Sequence, residues 1–286
     1  MKNRIISGLI MAAIVIPVLY FGGILYAIGI GLVATVAFKE MLDVKKGCKI
    51  PSIMKIVGLV CMLMLTYVNI DGSSLMFGLS YETLSLVFIL LLAPTVFLTN
   101  RNYKVGDAFY LSAVTILLGT IFNLFIMLFN ESVLLFIFVI LIACATDIFA
   151  LVGGMLIGKH KLTPISPKKT VEGSVVGTII STMIATTYYT MFISNEHILK
   201  TILVVIVLSI VGQIGDLFES KLKRIANIKD SGNIFPGHGG MMDRIDAMIF
   251  VTIGSAAILA IIPVLFYFDR NIITYIVLGG ETHDYF

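Results

Sequence analysis

The chain has 286 residues, 58% of them hydrophobic and only 13% charged, with a mean hydropathy of +1.03. Soluble domains carry about 25% charged residues and at most about half apolar ones, so a water-solvated globule is excluded and the bilayer must solvate most of this surface. A net charge of +3, scattered along the chain, excludes a nucleic-acid binder, and three cysteines without metal-ligand spacing exclude a disulfide framework. Two of these, Cys61 and Cys144, lie inside apolar runs and read as small buried hydrophobes; the third is Cys48.

A membrane-crossing helix takes about 20 apolar residues, with about 17 as the lower limit. The opening stretch resembles a signal peptide, but no small-residue cleavage site follows it, so it reads as an uncleaved first span. The first two of nine predicted spans share the run Ile5–Phe38, broken near Gly22-Gly23. Ser52–Ile70 and Thr83–Leu98 follow, then Ala108–Phe129, Val133–Ile157, Val175–Ile193, Ile198–Leu217 and Ala247–Phe268. The last run, Ile272–Leu278, is too short to cross.

Lys and Arg are retained on the cytoplasmic side. With the N-terminus inside, every basic residue except Lys200 and Arg270 falls on an inner segment. The expectation is an all-α polytopic integral membrane protein of the cytoplasmic membrane, N-terminus cytoplasmic and C-terminus outside. It divides into an N-terminal bundle of about five helices (1–130) and a C-terminal region of about four (131–286). The latter carries two inner loops, 158–174 and 218–246. Ala150, Gly154 and Gly158, at four-residue spacing, would let the sixth helix pack closely on a neighbour.

Almost everything capable of chemistry lies in those loops and the helix ends feeding them. Asp147 sits about ten residues inside the sixth span, a costly place for a carboxylate and so a candidate site residue. Ser166-Pro167-Lys168-Lys169-Thr170 with Glu172-Gly173 follows; Lys159 and Lys161 read equally well as lipid-headgroup contacts. The second loop holds Asp216, Glu219, Asp230, Asp243 and Asp246, with Lys223, Arg224, Lys229 and Arg244 among them. Asp243 and Asp246 are three apart and share a helix face, a seat for a hard cation such as Mg²⁺. The turn Pro236-Gly237-His238-Gly239-Gly240 ahead of that helix offers backbone N–H groups to a phosphate. Cations, N–H donors and carboxylates together describe a polyphosphate–Mg²⁺ site. The histidines form no ligand set: His197 and His283 fall outside, His160 lies at the interface, and only His238 lies in the cluster.

The run Ser220-x-x-Lys223-Arg224, Lys229-Asp230, Pro236-x-His238-Gly239-Gly240-x-x-Asp243-Arg244-x-Asp246 resembles the signature of phosphatidate cytidylyltransferases (CDP-diacylglycerol synthases). The stretch Asp147–Gly173 is similar to the same family's intramembrane Asp, glycines and Ser-Pro-x-Lys-Thr loop. The resemblance is close over residues 144–173 and 212–247, while the N-terminal 130 residues match only in hydropathy and length.

The resemblance implies an Mg²⁺-dependent homodimer that converts CTP and phosphatidate to CDP-diacylglycerol and pyrophosphate, with a second metal or a monovalent cation left open. It implies that Asp216 and Asp243 bind the metals, with Asp246 and Asp147 as further candidates. Lys223, Arg224, Lys229, Asp230, His238 and Arg244 are the implied catalytic set. Ser166, Lys168, Lys169, Ser220, Gly239 and Gly240 are the implied substrate contacts. Two rival readings stand: a CTP-dependent enzyme on another lipid, such as an ether-lipid phosphate or polyprenol, and a transporter, for which no inverted repeat is visible.

Overall fold

The computed structural model describes residues 13, 15–45, 50–68, 75–76, 79–92, 95–98, 103–195, 197–232, 234 and 239–266. The helices are α1 (Gly23–Val44), α2 (Ser52–Thr66), α3 (Tyr81–Leu92), α4 (Thr95–Leu98), α5 (Val105–Glu131), α6 (Val133–Ile157), α7 (Val171–Phe192), α8 (Ile198–Ile225) and α9 (Met242–Phe266). Between α2 and α3 the short strands β1 (Leu75–Met76) and β2 (Leu79–Ser80) pair antiparallel, Leu75 opposite Ser80 and Met76 opposite Leu79. Among the described residues five helices, α1, α5, α6, α7 and α8, are long and apolar enough to cross a bilayer, which makes this a multi-pass membrane protein.

Residues 15–21 are also helical, and the break falls at Gly22, whose φ of 57° and ψ of −147° are open to glycine and strained for other residues. The sixth predicted span coincides with α6. The predicted span Ser52–Ile70 needs correction, since its helix ends at Thr66, whereas Thr83–Leu98 includes residues 93–94, which lie outside the described residues. At 15 residues and about 1.5 Å per residue, α2 does not cover a hydrocarbon core of about 30 Å. Of the second apolar run, the described helices are Tyr81–Leu92 and Thr95–Leu98. Of the first and ninth spans, residues 5–12, 14 and 267–268 lie outside the described residues. In contrast, α8 outruns its apolar stretch by two polar turns to Ile225, with Glu219 and Lys223 paired one turn apart at 3.3 Å.

The chain forms two compact units, one of residues 1–130 with 225–244, the other of 131–224 with 245–286. In the first, Cys61, Leu65 and Val68 pack against Leu84 and Phe88. Three polar side chains there find backbone partners, as a lipid-embedded bundle favours. Tyr26 Oη donates to Phe125 O (3.0 Å), Tyr67 Oη to Ala27 O (2.8 Å), and Asn123 Nδ2 to Thr66 O (3.2 Å).

In the second unit, α6 and α7 approach closely through the expected small residues. A Cβ on Gly173 would lie 2.5 Å from Ala150 O and 2.9 Å from Gly154 Cα, so only hydrogen fits. A ladder of side chains then joins α6, α7 and α8. Thr146 bonds Ser181 and Ser209, both at 2.9 Å; Gln213 Nε2 donates to Thr178 Oγ1 (2.8 Å), and Ser174 Oγ donates to Gln213 Oε1. Ser174, Thr178 and Ser181 recur at helical spacing on one side of α7, and Ser209, Gln213 and Asp216 do so on α8. Cys61 is buried, as expected; Cys144 corrects the expectation, being exposed on α6.

Candidate active site

The loop between α6 and α7 is a closed structure. Lys161 bridges Thr170, Leu162 N donates to Lys169 O (2.9 Å) and Val171 N to His160 O (2.9 Å). Within it, Lys169 N donates to Ser166 O at 3.0 Å, a tight turn through Ser166-Pro167-Lys168. Thr170 caps α7 by accepting from Gly173 N at 3.1 Å. The Glu172 carboxylate accepts from Lys159 N (3.1 Å) and His160 N (3.2 Å) and pairs with His160 Nδ1 at 2.5 Å. Glu172 thus fastens the start of the loop to α7.

This frame sends the two lysines different ways. Lys168 is exposed, whereas Lys169 Nζ donates to Asp216 Oδ2 on α8. Around Asp216 the same unit gathers Glu219, Lys223 and Asp246. Asp246 precedes the apolar run that begins at Ala247 and lies beside Glu219. Burial pushes the Asp246 carboxyl up from its ordinary value; the Lys223 charge opposes this, and the charge of Asp216 adds to it. On the following turn of α8, Ser220 is half-buried and Arg224 exposed. Asp147 is half-buried on α6, beside the ladder residue Thr146.

In the first unit Ser231, Gly240 and the start of α9 close around two carboxylates. Asp243 Oδ2 accepts from Gly240 N (2.8 Å), Ser231 N (2.9 Å) and Ser231 Oγ (2.9 Å). Glu40 on α1, only 5% exposed, accepts from Met241 N (2.8 Å) and Met242 N (2.9 Å), with Ser231 Oγ at 3.3 Å. Of the turn's N–H groups expected to face phosphate, that of Gly240 is therefore taken by Asp243, and those of Met241 and Met242 beyond the turn are taken by Glu40. Lys229, Asp230 and Arg244 are exposed and Gly239 is half-buried; Pro236, Gly237 and His238 lie outside the described residues.

Sequence reasoning passed over Glu40 and the ladder. Glu40 carries the same signal that singled out Asp147, a carboxylate against an apolar run, but the adjacent Lys39 was read only as a topology marker. The ladder residues are hydroxyls and one amide, which hydropathy hardly registers.

Carboxylate oxygens are the donors a hard divalent ion takes, and crowded acids such as Asp216, Glu219 and Asp246 gain most from one. Among the described residues no three such side chains converge into a ligand cage by themselves. Mg²⁺ rests on one or two carboxylates and completes its shell with water and substrate phosphate.

The chain matches the cytidylyltransferase family over residues 2–262. A phosphatidate cytidylyltransferase of Staphylococcus saprophyticus subsp. saprophyticus is 35% identical over 254 residues, 88% of this chain and 96% of its own length. The proteins of the same name from Staphylococcus haemolyticus and Staphylococcus aureus are 36% and 34% identical, with the same coverage.

Proposed function

Because the chain belongs to the cytidylyltransferase family, and is thus a nucleotidyltransferase, we propose that it joins CTP to phosphatidate, forming CDP-diacylglycerol and pyrophosphate. The observation that carries this reading is the gathering of Lys169, Asp216, Glu219, Lys223 and Asp246 at one end of α8. Cations and acids so close suit a reaction between two phosphorylated substrates.

The phosphate oxygen of phosphatidate attacks the α-phosphorus of CTP in line, and the bond to the β,γ-pyrophosphate breaks. The nucleophile is already an anion, so little base catalysis is needed. The barrier lies in bringing two polyanions together, and preorganised positive charge lowers it. Lys169, released from Asp216, holds the lipid phosphate at membrane level, with Lys168 beside it and Ser166 shaping the turn. Lys223, Arg224, Lys229 and Arg244 offset the triphosphate charge. Asp216, Asp243 and Asp246 are the carboxylates we assign to Mg²⁺, with Asp147 a further candidate. When bound, the ion draws electron density from the phosphate oxygens. Asp230, Ser220, Gly239, Gly240 and His238 complete the assigned contacts. The loops face the cytoplasm, where CTP is, and two copies of the chain form the working unit.

The test is pyrophosphate release by purified protein in detergent micelles with CTP, Mg²⁺ and phosphatidate, with and without chelator. Chelator-sensitive CDP-diacylglycerol formation is expected. Faster turnover of an ether-lipid phosphate or a polyprenyl phosphate would replace the lipid assignment, and solute flux without pyrophosphate release would replace the enzyme.

A further inference from the structure

We infer that Glu40, in the N-terminal unit, is a positioning residue for this reaction: it fixes the segment Gly240–Met242 that presents Asp243. This rests on the proposed function above. A carboxylate with 5% exposure is costly unless its oxygens are matched by donors, and Glu40 has two backbone N–H donors, with the Ser231 hydroxyl within reach as an alternative third. Oε1 takes Met241 N (2.8 Å); Oε2 takes Met242 N (2.9 Å), with Ser231 Oγ at 3.3 Å. Two of these donors are the backbone N–H groups at the very start of α9, where the helix dipole favours negative charge.

Ser231 is shared. Its hydroxyl donates to Asp243 Oδ2, at 2.9 Å, with Glu40 Oε2 on the other side as the alternative acceptor. Gly240 N, at 2.8 Å, is the next donor to Asp243. Glu40 and Asp243 therefore grip one segment from two sides, with Ser231 between them. The fit is tight, since a Cβ on Gly240 would stand 2.6 Å from either Glu40 oxygen. A carboxylate assigned to the metal is thus oriented by a residue some 200 positions earlier, on a helix otherwise devoted to spanning the bilayer. Glu40 touches no reacting atom in this account. Its effect passes through the geometry of Asp243, so its loss lowers kcat and raises the Mg²⁺ requirement while leaving the KM for phosphatidate almost unchanged.

The experiment compares full-length wild type, Glu40→Gln and Glu40→Ala in detergent by two readouts. The first is backbone hydrogen exchange at Met241 and Met242. It should accelerate about tenfold or more in Glu40→Ala and less in Glu40→Gln, whose amide oxygen still accepts. The second is steady-state turnover against Mg²⁺. A misplacement of about 1 Å costs on the order of 100-fold, so kcat should fall about 10- to 100-fold in Glu40→Ala, with partial rescue in Glu40→Gln. Unchanged exchange in Glu40→Ala would overturn the inference, as would faster exchange with wild-type kcat and Mg²⁺ dependence. A loss expressed only as a higher phosphatidate KM would also overturn it. A wild-type protein inert toward CTP and phosphatidate would count against the parent reading, while the exchange rates would still decide whether Glu40 holds the segment.

Discussion

Lys169 and Asp216 are paired directly, the Nζ of a loop lysine donating to the carboxylate of a helix one connection away. The proposed reaction needs both groups elsewhere, the lysine on a lipid phosphate and the carboxylate on a cation. Substrate and metal arriving together exchange each partner for one of like charge, so neither group is left unpaired. Hydrogen bonds to charged groups contribute about 1.5–3 kcal/mol. Lys169→Ala should therefore lower kcat/KM for phosphatidate by about 10- to 100-fold, chiefly through KM. Steady-state kinetics against the mole fraction of phosphatidate in mixed micelles measures this, and an unchanged lipid dependence would remove Lys169 from headgroup binding.

Asp243 allows a sharper substitution. Its Oδ2 accepts three hydrogen bonds from Gly240 and Ser231. Asn keeps a carbonyl oxygen for those donors and loses the negative charge. Asp243→Asn should elute as the wild type does from size-exclusion chromatography and lose on the order of 100-fold or more in kcat, since a metal's charge stabilisation amounts to several kcal/mol. Near wild-type CDP-diacylglycerol formation would show that the metal assignment is wrong.

These two residues also mark how far the sequence could be read. Asp216, Asp243 and Lys169 stand out because charges are rare against apolar runs, and rarity survives without coordinates. What pairs with what is less legible. Glu172 lies three residues from Lys169 yet pairs with His160 and accepts from the N–H groups of Lys159 and His160. Glu40 belongs to the site through contacts about 200 residues away in sequence, which no local pattern encodes. On the fold side, α6 was legible to the residue. For α2 the apolar run continues past the helix, which ends at Thr66, and hydropathy alone does not see where hydrogen bonding stops.

The ladder between α7 and α8 gives a prediction about stability. Gln213 bonds Ser174 and Thr178 from α8 and is itself buried. Gln213→Leu removes these partners and leaves hydroxyls without them in an apolar surround. Interhelical hydrogen bonds in membranes contribute about 0.6–2 kcal/mol, so a loss of about 1–2 kcal/mol is expected, seen as a melting temperature lower by a few degrees in detergent. An unchanged melting temperature would mean that the ladder relaxes onto other partners and carries little of the packing energy.

Orientation rests on the sorting of basic residues and can be read directly in cells. Lys161 lies in the loop closed by its bridge to Thr170, and Lys200 lies in the first turn of α8; both are exposed. If the loops face the cytoplasm, α7 carries the chain across between them. In a background with Cys48, Cys61 and Cys144 replaced by Ser, the Lys200→Cys protein should react with a membrane-impermeant maleimide on intact cells. Lys161→Cys should react only after permeabilisation. The reverse pattern would place the proposed site on the face without CTP. Labelling of both from outside would mean that α7 does not cross, so the assay tests the span and its direction at once.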